Sequence, residues 1–77
     1  MDSNNKLLYN QGEVVRLKLK PELTGVISGF YYNNKYLGNS FNTGEYSSST
    51  CDAVIVFLND DLSTTTKRYP VIMIEKV

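Results

Sequence analysis

The stretch Thr24 to Tyr32, "TGVISGFYY", decides the fold. Its β-branched and aromatic residues suit a pleated, half-buried strand. It also carries Gly25 at its entrance and Gly29 in its interior. A glycine inside a strand marks a bulge or a sharp bend, which a small barrel needs where a strand turns from one sheet into the other.

Upstream, "EVVRLKLK" alternates, with Val15, Leu17 and Leu19 on one face and Arg16, Lys18 and Lys20 on the other. That period of two is the signature of a half-buried strand. Pro21 is expected to end it, leaving "PEL" as a short connection. Downstream, "CDAVIVFL" is the most apolar strand, "NDDL" is a turn, and "STTTKRY" is a Thr-rich strand with an exposed face. After Pro70, "VIMIEKV" reads as one tight turn and a short closing strand, with Ile72 and Ile74 buried. No stretch shows a period of 3.6. Five short strands without a helix predict an all-β fold, and closure into a barrel removes the exposed edges of a sheet.

The chain has 77 residues, which makes one small domain that buries roughly 60% of its unfolded surface. Residues 1–10 read as a polar, flexible arm, although Leu7, Leu8 and Tyr9 could lie against the barrel, and residues 11–77 read as a single domain. Eight Lys and Arg balance eight Asp and Glu. Zero formal charge argues against strong non-specific attraction to nucleic acid or to an anionic membrane. A lone cysteine, Cys51, reads as a small buried residue at a strand start and not as a disulfide partner. With no signal-peptide core and no membrane-length apolar run, the expected location is the cytoplasm.

The chemistry of catalysis is sparse. The chain has no histidine to activate a Ser or Cys nucleophile. The pair Asp60 and Asp61 falls in a turn, where carboxylates bond to local backbone. "NDDLSTTTKR" lacks the glycine and terminal Glu of a calcium loop. The expectation is therefore a non-enzymatic protein with no catalytic residues, no metal ligands and no cofactor.

Three stretches resemble the Src-homology-3-like (SH3-like) small barrels, especially the KOW and Tudor-like branch: "GEVVRLK" from Gly12 to Lys18, "TGVISGF" from Thr24 to Phe30, and "YPVIMIEKV" from Tyr69 to Val77. The opening is also similar to that of short uncharacterised bacterial and phage proteins with a Gly-Asp/Glu-Val-Val-x-Leu-Lys start. The resemblance covers residues 10–32 and 52–77. It implies a five-stranded barrel in which a 3₁₀ turn precedes a last strand paired with the first, with an extended hairpin or loop between strands two and three. Peptide-binding members carry an Ala-Leu-Tyr-Asp-Tyr run and a tryptophan, both lacking here, so proline-motif binding is not implied. Nor can a methyl-lysine cage be placed residue by residue.

Within that extended segment, "YYNNKYLGNSFNTGEYSSST" at 31–50, the tyrosine-rich part 31–46 holds the functional expectation and 47–50 reads as connector. Phe30, Tyr31, Tyr32, Tyr36, Phe41 and Tyr46 are six of the nine aromatics, counting six Tyr and three Phe. Gly38-Asn39 suggests a type II′ hairpin turn with Tyr36 and Phe41 as near cross-strand partners. Folding back over one end of the barrel would make these rings core. Facing outward, Tyr31, Tyr32, Tyr36, Phe41 and Tyr46 would form a contact surface for a protein partner or a second copy. The alternative is a nucleic-acid or ribonucleoprotein accessory domain, with Arg16, Lys18, Lys20, Lys67 and Arg68 on phosphates and tyrosines stacking on bases. Charged side chains on an alternating strand are also simply its solvated face.

Overall fold

A computed structural model describes residues 8–42 and 50–77, with the backbone alone at 8, 41 and 42. Among the described residues the chain forms eight strands: β1 (Leu8–Asn10), β2 (Val14–Leu17), β3 (Lys20–Tyr32), β4 (Lys35–Gly38), β5 (Ser40–Asn42), β6 (Cys51–Leu58), β7 (Thr64–Pro70) and β8 (Ile74–Lys76). A 3₁₀ turn, Val71–Met73, links the last two. The main sheet is antiparallel with order β7-β6-β3-β2-β8, and β4 pairs with the far end of β3. β1 and β5 form a separate antiparallel pair. The fold is all-β, but the main sheet is open: among the described residues β7 bonds only to β6 and β8 only to β2, so the closed five-stranded barrel expected from the sequence is not what forms. The chain leaves β7 through the 3₁₀ turn, and the three residues of β8 are taken up by β2.

β3 organises both faces of the sheet. Its register with β6 shifts between Ile27 and Gly29, leaving Ser28 as the extra residue of a bulge. A one-residue insertion reverses which side chains face inward. Before it, Gly25 and Ile27 face the core; after it Phe30 does, and Tyr31 points away. The core is Val15, Ile27, Phe30, Cys51, Ala53, Ile55 and Ile74 from the sheet, Val71 from the 3₁₀ turn, and Tyr9 from β1. Residues 8–10, assigned to a flexible arm by sequence, are thus a strand, because the Tyr9 ring is fully buried. Its hydroxyl points at the Ile74 carbonyl oxygen at 3.5 Å. Burial, reinforced by Glu13 and Glu75, pushes its pKa up. Residues 1–7 lie outside the described residues.

Three local expectations are corrected. The first strand does not alternate through to Lys20: the chain reverses at Lys18 and Leu19, Leu17 pairs with Lys20, and Leu19 is 82% exposed. Neither turn residue has positive φ, so the turn lacks the primed geometry that matches strand twist, and the pairing breaks at once. Arg16 faces Thr24 while Leu17 faces Lys20, leaving 21–23 as a stretch of β3 without partners in β2. Pro21 is tolerated there because no ladder bond is asked of it.

The hairpin turn lies at Asn33-Asn34, not at Gly38-Asn39. Both asparagines are left-handed, with φ of 51° and 65°, as a type I′ turn requires. Gly38, at φ 107°, is where the chain leaves β3 for the β1–β5 pair. Tyr36 therefore pairs with Tyr31, and Phe41 with Tyr9. At the C-terminal end Val71 is buried and Ile72 is 48% exposed. In a 3₁₀ turn residues i and i+3 share a side, so Val71 and Ile74 enter the core together and Ile72 is turned out.

Candidate functional site

On the outer face of the sheet, where β4, β3, β6 and β7 lie side by side, an aromatic and charged cluster is assembled. Tyr31 is opposite both Tyr36 and Asp52, and Val54 is opposite Arg68. The Tyr31 and Tyr36 rings meet edge to face, with centroids 5.4 Å apart and planes at 63°. The Arg68 guanidinium carbon lies 4.7 Å from the Tyr31 ring centroid. Its Nε is 3.3 Å from Asp52 Oδ2, and its Nη2 donates to Asn34 Oδ1 at 2.8 Å. Asp52 from β6 and Asn34 from the turn thus hold the Arg68 guanidinium over the Tyr31 ring.

Tyr36 owes its position to a glycine. A Cβ at Gly29 would stand 2.7 Å from Tyr36 Cε1 and 3.1 Å from its hydroxyl oxygen. The ring lies across the bulge, covering backbone that has no side chain of its own, and its hydroxyl donates to Asn39 Oδ1 at 2.9 Å. Tyr36 nonetheless remains 52% exposed. Next to the cluster, Val14, Val26 and Val56 align across β2, β3 and β6 on the same face, the first two half-exposed. The result is an apolar surface with a fixed aromatic and arginine edge.

The remaining sequence candidates are dispersed. Tyr32 lies on the opposite face of β3, paired with Cys51 and Lys35. The backbone of Phe41 is in β5, and Tyr46 falls outside the described residues. The basic residues do not form one stripe. Arg16 is bound to Glu75, Nε to Oε2, at 2.7 Å. Lys18 is in the turn, Lys20 opens β3, and neighbouring Lys67 and Arg68 on β7 point to opposite faces. Sequence reading overlooked Asn34 and Asp52. Their only signal is a pairing across 34 and 16 residues with Arg68, and no local pattern carries it.

The other residues with chemical promise have structural partners. Asp61 accepts bonds from the Ser63 amide and hydroxyl, which hold its carboxyl below the ordinary range. Cys51 opens β6 with its side chain fully buried, and desolvation raises its thiol pKa. Among the described residues no three His, Cys, Asp or Glu side chains are grouped to hold a metal ion, and no helix is long and apolar enough to cross a membrane. No protein-family model, no curated protein and no solved structure matches the chain.

Proposed function

We propose that the chain is a non-enzymatic interaction module of the cytoplasm, a variant of the SH3-like small barrel, that binds a protein partner or a second copy through its outer face around Tyr31, Tyr36 and Arg68. The strand order, with a 3₁₀ turn before a last strand that returns to β2, supports the fold part of this reading. The observation that carries the functional part is Tyr36, a half-exposed ring seated on Gly29 and locked by its hydroxyl. A rigid aromatic beside an oriented arginine loses little entropy on binding, and Tyr and Arg are the residue types that dominate contact energies. Nucleic-acid binding draws less support, since Arg16 and Arg68 are each paired with a carboxylate.

The test is capture of a partner from the native host by the immobilised chain, repeated with Tyr36→Ser, alongside denaturant unfolding of both proteins. The reading expects loss of the partner with an unfolding midpoint close to the parent. A midpoint that falls along with binding would make Tyr36 a stability residue instead. Titration with single-stranded RNA at low salt separates the other reading, because each neutralised phosphate contributes about −0.7 to the log-log salt slope.

A further inference from the structure

A second recessed site lies on the opposite, core-facing side of the sheet. Leu23, Phe57, Asn59, Thr65, Lys67 and Tyr69 line an open pocket of about 220 Å³ at the end where β6 turns into β7. Its floor continues the core: Phe57 and Tyr69 pack against the buried cluster and meet edge to face, with centroids 6.2 Å apart and planes at 89°. Gly25 allows this approach, since a Cβ there would lie 3.0 Å from Phe57 Cδ1. One wall is Leu23, from the stretch of β3 that has no partner in β2. The polar rim is fixed as well, with Asn59 Nδ2 donating to Ser63 Oγ at 3.0 Å and to Thr65 Oγ1 at 2.9 Å.

Size and charge identify the occupant. Pockets for drug-sized ligands and cofactors run to roughly 300–1,000 Å³, so this one suits a single side chain better than a cofactor. Its lining contains one charged group, Lys67, and no carboxylate. Arg16, Arg68 and Lys76 are salt-bridged to Glu75, Asp52 and Glu13; among the described residues Lys67, like Lys18, Lys20 and Lys35, is not salt-bridged, and of these four it is the one that lines the pocket. An apolar hole beside an ammonium group is complementary to an apolar group beside an anion. We propose that this pocket docks one large apolar side chain of an acidic protein segment, with Lys67 pairing the flanking carboxylate. This surface is independent of the Tyr31 and Tyr36 face and goes beyond the function proposed above.

The experiment uses the full chain, ¹⁵N-labelled, titrated with the peptide acetyl-Gly-Glu-Leu-Glu-Gly-amide and followed by amide chemical shifts. The expected result is a saturable shift centred on Phe57, Thr65, Lys67 and Tyr69. Lysine in place of both glutamates should weaken binding by about two- to fivefold, a size set by exposed ion pairs, and alanine in place of leucine should abolish it. Lys67→Glu should reverse the preference toward the lysine peptide, a gain that loss of folding cannot produce. Tyr36→Ser should leave these shifts unchanged, so failure here and failure of the outer-face reading are separable. The proposal is overturned by absence of saturable shifts at these amides, by equal response to the two charged peptides, or by a preference that Lys67→Glu does not move. Movement of the same amides on dilution of the chain alone assigns the pocket to a second copy and also overturns it. An equal response to 4-methylpentanoate would do so in favour of a free acid.

Discussion

Gly25 and Gly29 sit four residues apart on one strand and serve opposite faces of the sheet. A Cβ on Gly25 would reach the Ile55 side chain at 2.5 Å and the Val56 backbone oxygen at 2.9 Å, inside the closed face. The three atoms nearest a Cβ on Gly29 all belong to Tyr36, an exposed ring on the outer face. In an uninterrupted strand these two positions would share a face. The Ser28 bulge separates them, and it thereby assigns neighbouring aromatics to different tasks: Phe30 to the core and Tyr31 to the surface.

The largest expected effect tests that division directly. Phe30→Ala should cost about 3–5 kcal/mol, as for a buried aromatic leaving a cavity. Tyr31→Ala should cost about 1–2 kcal/mol, the sum of an exposed cation–π contact and one aromatic pair. Denaturant unfolding of the two variants checks the ratio, and similar losses would break the comparison.

The turns sharpen it. On the open face, the two left-handed positions are filled by Asn33 and Asn34, which tolerate that conformation. At the tip joining β6 to β7, the left-handed position is Leu62, at φ 70° and 79% exposed. A γ-branched side chain pays for this geometry without burying its apolar surface. Leu62→Gly should raise stability by up to about 1 kcal/mol, read as a higher unfolding midpoint with an unchanged slope.

A smaller effect is confined to the region where Tyr9 enters the core. Glu13 accepts a bond from the Asn10 amide at 2.9 Å and pairs with Lys76 Nζ at 3.0 Å. The backbone bond from Asn10 is the largest cause that holds its carboxyl below the ordinary range; burial, second in size, opposes it, and Lys76 adds to the lowering. Because the folded-state pKa is the lower one, the unfolded chain takes up this proton first. The stabilisation is complete above the unfolded-state value and is lost as pH falls through the folded-state value. Unfolding midpoints measured from neutral to acid pH should fall less steeply for Glu13→Gln than for the parent.

The sequence carried one sign of this division, Gly29 as the mark of a bulge or bend inside a strand, but not which aromatics would take each face. The burial of both Ile27 and Phe30, three residues apart, is what the bulge at Ser28 produces. The all-β class followed from the alternation around Val15 and in the Thr-rich β7. What was not legible depended on competition or on distance. Gly38-Asn39 is the better dipeptide for a turn, but Asn33-Asn34 closes the hairpin, and β5 pairs with β1 instead of β4. Ile72 was misassigned because the 3₁₀ turn replaces a period of two with one of three. The open sheet and the seat of Arg68 on Tyr31 depend on contacts between residues far apart in the chain, for which local patterning has no code.

The most direct test of the central claim is a side-by-side denaturant unfolding of Gly25→Ala and Gly29→Ala. Gly25→Ala must displace core side chain and backbone, and should lose about 1–3 kcal/mol or more. Gly29→Ala can be relieved by swinging Tyr36 into solvent, and should lose less than about 1 kcal/mol while shifting the Tyr36 ring resonances. Equal losses, or a larger loss for Gly29→Ala, would contradict the division by which the Ser28 bulge turns Gly25 into the core and Gly29 to the outer face.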